Sequence, residues 1–390
     1  MKTNFDIQKT PLIAIWEINH SDSRRSTQVS DQVCASVTCM AQTLTNEEQP
    51  DALELDTQEA EKLIRDVAEL APPIFTITGG DPLKRTDIYY LIRYAINRGV
   101  RPVLALNATP LLDRNAVAEL KQAGVARLSL SLDASSPELH DLITGVNGSY
   151  ARTLQALHWA NEWRVPVQVT THLCNNNLND LAALAALLRG FKIVLWTVAF
   201  PVPAQKSDLA NLPSASEFEQ AFATLYKLGQ QVPFKIKTVE AQHYRRYVLQ
   251  QRAKETADKF WRGQVDSQGI PGVLPVNEGR ATVFISSTGE VSPIVSLCVS
   301  AGNVRSQKLA DIYRRSELFT SLRDASNLKG KCSLCAFKRE CGGSRARALV
   351  ITGDLYQEDA ACIYRPGTQP RVRNKQAPEL PRQKVTVEKP

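Results

Sequence analysis

Cys332, Cys335, Cys341 and Cys362 form a C-x2-C-x5-C-x20-C array. Four thiolates gathered by two short loops and one long return can enclose a tetrahedral soft metal or a cubane iron-sulfur cluster, because such ions prefer sulfur. Spacing leaves both open, since a structural Zn2+ also takes four thiolates. Cys298 has no partner at the spacing a second cluster would need and reads as a buried thiol.

A second group of chemistry-bearing residues recurs at the ends of short apolar runs: Thr78-Gly79-Gly80-Asp81-Pro82, Asn107-Ala108-Thr109, Ser129-Leu130-Ser131-Leu132-Asp133 and Gln168-Val169-Thr170-Thr171-His172. Alternate strand residues face one way, so Ser129, Ser131 and Asp133 are expected to share a side. Gly79 and Gly80 let backbone approach a ligand closely, and Asp81 offers a carboxylate to an ammonium or hydroxyl. The same strings also read as a tight turn and as a buried strand capped by Asp133. Farther on, residues 234–247 combine a strand with a charged helix start. Such a segment would bring Lys237, Glu240, His243 and Arg245 to the mouth, where the cations suit a propionate, carboxylate or phosphate, or would simply form a solvated, salt-bridged helix face.

These tips need a scaffold, and the periodicity supplies one. A short apolar run over residues 12–18 opens the series. Helical spacing is predicted over 57–70, 89–97, 114–123, 149–162 and 178–188, and strands over 74–78, 103–107, 127–132, 167–171 and 192–200. Strand and helix alternating at this interval imply a parallel sheet with helices outside, in an α/β fold: a partial, TIM-like barrel of six units. In such folds chemistry collects where strands end. The reading divides the chain into a barrel over 1–205, connecting helices over 206–280, a small cysteine-rich α+β domain over 281–366 and a basic tail over 367–390. The small domain should open with a hairpin over 283–291 and carry a helix near 309–314.

Composition bounds the rest. The 390 residues are 43% hydrophobic and 22% charged, enough for a large core. No apolar run reaches the length of a membrane span, residues 11–16 are too short for a signal peptide, and the expected compartment is the cytoplasm. There, eight cysteines are expected as metal ligands or inert thiols and not as disulfides. The net charge of +7 is modest, and the tail, with six Lys and Arg against two Glu, accounts for much of it. Disorder is expected there. Nucleic acid and membrane are not expected partners. No phosphate-cradling loop, dinucleotide fingerprint, nucleophile elbow or zinc-protease motif occurs.

Trp16-Glu17, the Thr-Gly-Gly-Asp-Pro turn, Ser131-Leu132-Asp133, His140-Asp141, the block from Lys331 to Gly343 and Cys362 together resemble radical S-adenosylmethionine proteins. The likeness is to members with a C-terminal SPASM or twitch-type auxiliary-cluster domain, in the branch of heme and heme d1 maturases. The run Cys341-Gly-Gly-Ser-Arg-Ala-Arg347 is its most specific part. The resemblance implies a 4Fe-4S cluster, with zinc as alternative, on the four C-terminal cysteines. It implies cosubstrate contacts at Gly79, Gly80, Asp81 and Pro82, with Asn107, Ser131 and Asp133 beside them.

The chain departs from that pattern where the radical is made. The C-x3-C-x2-C motif that holds the catalytic cluster would fall on Asp22, Ser26 and Val29. None replaces a thiolate: carboxylate is hard, a serine hydroxyl resists deprotonation, and valine has no lone pair. The pattern's arginine after His140-Asp141 is Thr144. Cys34 and Cys39 lie shortly after that position and Cys174 just beyond the tip of the fifth strand, so all three are weighed as substitutes, but their spacing is wrong, and residues 20–50 read as a flexible polar loop. Three functions follow: a maturase acting on a tetrapyrrole, peptide or cofactor precursor; a non-catalytic iron-sulfur partner or electron carrier for a maturation protein; and a zinc-stapled binding protein. S-adenosylmethionine is doubtful in the last two.

Overall fold

The computed structural model describes residues 6–20, 54–261, 279–297 and 299–367. The expected loop after the first strand, the basic tail, Asp22, Ser26, Val29, Cys34, Cys39 and Cys298 lie outside the described residues.

Parallel β1 (Ile13–Glu17), β2 (Ile74–Thr78), β3 (Pro102–Leu106), β4 (Arg127–Ser131), β5 (Val167–His172) and β6 (Ile193–Ala199) pair in sequence order. Between them run α1 (Thr57–Leu70), α2 (Ile88–Asn97), α3 (Arg114–Ala123), α4 (Pro137–Thr144), α5 (Ser149–Glu162) and α6 (Leu181–Leu188). Local chemistry explains their ends. Asp56 and Glu59 close a reciprocal capping box on α1, whose Ala60, Leu63, Ile64, Val67 and Leu70 are buried in one stripe. Asp113 caps the start of α3, and Gly124, in the left-handed region, closes its end.

The α/β architecture is as expected, and the sheet is larger than the sequence indicated. After α7 (Ala215–Gly229), β7 (Lys235–Val239) pairs in parallel with β6; after α8 (His243–Trp261), β8 (Thr282–Ile285) pairs in parallel with β1. The predicted hairpin forms from β8 and β9 (Glu290–Ser292), and β10 (Gly302–Asn303) completes a ten-stranded sheet. The order runs open from β10 to β7, with no pairing of those two edges among the described residues. The remainder comprises α9 (Leu309–Arg315), α10 (Glu317–Arg323), α11 (Gly330–Ser333) and α12 (Arg345–Thr352).

The two sheet faces differ. Leu128, Leu130, Val167, Val169, Trp196 and Val198 pack in the main core. Arg127, Ser129 and Ser131 on β4, Gln168 and Thr170 on β5, Thr197 on β6 and Lys237 on β7 alternate onto the opposite face.

Candidate functional site

The glycine turn after β2 is locked against β1. Gly80 N donates to Asn19 O (3.1 Å), Asn19 Nδ2 donates to Asp81 O (2.8 Å), and Asn107 Nδ2 donates to Gly80 O (3.2 Å). Gly79, at φ +149°, approaches so closely that a Cβ would sit 2.6 Å from both Asn19 O and Oδ1. Asp81 is completely buried, accepting from Thr109 Oγ1 (2.8 Å) and Leu83 N (3.1 Å) at the head of a 3-10 turn that begins at Pro82. Gly79, Gly80, Asp81, Pro82 and Asn107 therefore come together. Within the described residues the Asp81 carboxylate acts as a turn cap.

Ser131 stays part-buried at the tip of β4, and Asp133, just beyond it, is 4% exposed. Asp133 Oδ1 accepts from His172 N (2.7 Å) and lies 3.1 Å from His172 Nδ1. Burial pushes this carboxyl up, but the charge and hydrogen bonds of His172 outweigh it and hold it below the usual carboxylate range. Asn177 ties the tips together by donating to Asp133 O and His172 O, both at 2.8 Å. The capping reading of Asp133 is not realised, because Ser136 caps α4.

His140 and Asp141, noted in the sequence as a motif, sit on that unanticipated helix. His140 Nδ1 accepts from Asp133 N (3.0 Å), and burial holds the imidazole below its ordinary pKa. Asp141 accepts from Ser149 Oγ and Tyr150 N, both at 2.9 Å, fastening the start of α5. Thr144 Oγ1 pairs with His140 O (3.0 Å) and Ser149 Oγ (2.8 Å), so this stretch is knitted into its own turn. Cys174 packs among Ala134, Ile143 and Leu139.

The four C-terminal thiols share one pocket with Arg246, Lys331 and Lys338. Each sulfur receives a backbone N–H: Cys332 from Asp359, Cys335 from Phe337, Cys341 from Gly343 and Cys362 from Tyr364. Gly342 and Gly343, at φ +72° and +69°, allow that return at Cys341. Burial nonetheless raises all four thiols above their ordinary pKa, Cys362 to about 11. An apolar, donor-lined pocket of this kind leaves free thiols protonated and gains most when a metal supplies the positive charge. No three Cys, His, Asp or Glu among the described residues close on a single ion.

Arginines fasten this pocket to the sheet, a role the sequence did not reveal. Arg347 bonds Asp359 and donates to Pro201 O (2.7 Å) and Glu240 O (2.8 Å), at the ends of β6 and β7. Arg345 Nη1 donates to Leu355 O (3.0 Å) and Gln357 O (2.8 Å), holding the return that carries Cys362.

The charged helix start divides in two. His243 corrects the expectation of a mouth residue: it is fully buried against Phe218 (5.6 Å) and Phe222 (4.8 Å), and burial lowers its pKa to about 3 despite Asp359 nearby. Glu240 accepts from Ser296 Oγ, so it too serves the junction. Arg245 donates to Glu340 O (3.1 Å), and its charge reaches Lys237.

Comparison with known proteins places this geometry. The Radical SAM superfamily profile matches residues 37–188 and so begins after the position where the catalytic cysteines would stand. The AdoMet-dependent heme synthase of Methanosarcina barkeri is 36% identical over 314 residues, covering 80% of this chain and 89% of that one. The PqqA peptide cyclase of Rhodopseudomonas palustris is 26% identical over 322 residues, covering 80% of each. Streptococcus suis SuiB has a similar fold, at TM-score 0.64 and 16% identity, over 91% of this chain and 77% of that one. No helix among the described residues is long and apolar enough to cross a membrane. By its identity to the heme synthase across four-fifths of its length, this chain belongs to the radical SAM superfamily.

Proposed function

We propose that this protein keeps the scaffold and the C-terminal cluster of a maturase but does not itself cleave S-adenosylmethionine, serving as an iron-sulfur partner or electron carrier in a maturation pathway. The observation that carries the reading is the contrast between its two sulfur sites. The family implies a 4Fe-4S cluster after β1, yet Asp22, Ser26 and Val29 form a donor set that cannot seat it. Cys332, Cys335, Cys341 and Cys362 line one pocket with an N–H aimed at every sulfur, which supports a bound anionic cluster. Such a cluster, with a thiolate on each iron, would supply one-electron chemistry. Gly79, Gly80, Asp81, Pro82, Asn107, Ser131 and Asp133 remain the proposed cosubstrate-facing set, and SPASM-like character is proposed for residues 281–366.

Anaerobic reconstitution with iron and sulfide, iron counting and EPR with and without S-adenosylmethionine test the reading. About four irons per chain and a spectrum indifferent to the cosubstrate are expected. About eight irons, or 5'-deoxyadenosine formed in turnover, would restore a radical enzyme; zinc alone would leave a stapled binding protein.

A further inference from the structure

Two arginines reach the thiol pocket with a donor unused. Arg246, in the first turns of α8, and Arg345, at the start of α12, are each 4% exposed. Arg246 Nε and Arg345 Nη2 are buried and have no hydrogen-bond partner among the described residues. A buried donor left unmade is costly, and more so on a charged group.

Arg246 lines the pocket beside the four cysteines. Its terminal nitrogens are engaged elsewhere: both pair with Glu219, and Nη1 also donates to Gln250 Oε1 (2.9 Å). The guanidinium carbon lies 5.4 Å from the ring centre of Tyr364, two residues beyond Cys362. Anchored in this way, the side chain has Nε left for the pocket. Arg345 approaches from behind Gly343, which also lines the pocket. The point where Gly343 would carry a Cβ is 2.8 Å from Arg345 Nη2 and 3.5 Å from Cys332 Sγ, so nitrogen and sulfur border one small gap. Asp359, whose Cβ borders the same gap, has its carboxylate gripped by Arg347. The hydrogen bonds of Arg345 go to the carbonyls of Gly343, Leu355 and Gln357, so its charge is met there by dipoles.

We propose that Arg246 and Arg345 raise the reduction potential of the cluster held by Cys332, Cys335, Cys341 and Cys362, each directing a charged N–H at its sulfurs. The inference rests on the cluster reading. Reduction adds one electron, taken from a low-potential one-electron donor, and so one negative charge; no bond is made or broken and no proton moves. A cation buried beside the cluster therefore stabilises the reduced form more than the oxidised one. Net charge and hydrogen bonds to the sulfurs are among the properties that set such potentials, and the groups that supply them stand just beyond the ligands. Lys331 and Lys338 line the same pocket but are only part-buried, and their ammoniums donate to Cys362 O (2.6 Å) and Ser333 O (3.1 Å). Water screens them more than the two arginines. Arg246 and Arg345 are thus positioning residues and not ligands.

An EPR-monitored redox titration of the iron-loaded full chain tests it, with dithionite as the electron donor and iron counted on every preparation. Arg246→Met and Arg345→Met should each lower the midpoint, making reduction about tenfold less favourable, or about 59 mV for one electron. Arg246→Lys keeps the charge and should recover most of that loss, a rescue that a purely structural arginine would not show. Glu219→Gln removes the carboxylate behind Arg246, leaves it an acceptor, and should move the midpoint upward. Lys227→Met, at an exposed lysine of α7, should leave the midpoint in place. Where a Met variant fails to load iron, Glu219→Gln decides, and an unmoved or lowered midpoint there overturns the inference. Midpoints in the Met variants that match the parent, or a drop as large in Lys227→Met, also overturn it while the iron count upholds the cluster reading. A parent chain that loads no iron overturns the cluster reading itself, and this inference with it.

Discussion

Arg347 grips both carboxylate oxygens of Asp359, at 2.8 and 3.1 Å, and neither side chain is more than 2% exposed. The same guanidinium reaches the carbonyls of Pro201 and Glu240, while Asp359 accepts from Ser344 N and Ala361 N and supplies an N–H to Cys332. One buried pair thus joins the open edge of the sheet to the loops that present the thiols. Arg347→Ala strands the Asp359 charge and should cost about 3–5 kcal/mol. Urea unfolding should show the loss, and reconstituted iron per folded chain should fall with it. Unchanged stability would remove the pair from its role as a junction.

His243 offers the opposite expectation. It is fully buried between aromatic rings, neither ring nitrogen has a hydrogen bond, and burial lowers its pKa to about 3, so it is neutral at pH 7. Replacing an unsatisfied polar ring with an apolar one of similar shape removes a desolvation cost. His243→Phe should melt at the same temperature as the parent or higher. A lowered melting temperature with loss of iron would give the imidazole an active part.

Gly79 tests the turn proposed to face the cosubstrate. At φ +149° with a Cβ position 2.6 Å from Asn19 O, Gly79→Ala should destabilise by about 1–3 kcal/mol. The change is expected as a lower denaturant midpoint with unchanged m-value, because the strain is local. Tolerance of alanine would mean that β1 and the turn can separate.

Lys237 makes stability depend on pH in a defined direction. Its amine falls from 10.5 to about 8 on folding, with Arg127 and Arg245 the charges that face it. Between those values the unfolded chain binds more protons, so stability rises with pH through that window, and the penalty is fully present below about 8. Lys237→Met should therefore be more stable than the parent at pH 7, with the difference vanishing near pH 10.5. Melting curves at the two pH values decide it; a parent that stays level across the window would place Lys237 in open water.

The missing thiols can be restored. In Asp22→Cys/Ser26→Cys/Val29→Cys the family's ligand spacing returns, and about four more irons per chain are expected on anaerobic reconstitution. No gain would show that the surrounding chain, and not the ligands alone, has lost the site.

The sequence by itself determined the α/β alternation, the polar strand tips and the convergence of the four cysteines. The first follows from hydrophobic period, and the 57–70 helix, framed by Asp56 and by residues that cannot continue it, has the bounds the pattern predicts. The last two follow from residue type at short spacing. The tertiary structure decided what depends on long-range pairing. β7 and β8 are short strands separated by long stretches, and only their hydrogen bonds to β6 and β1 make them part of one sheet. Packing turned His243 inward while Arg245 reached toward the cysteine loop. Local pattern fixes which face of an element is apolar. Which charges meet across a cavity depends on how distant elements close around it, and no spacing along the chain records that distance.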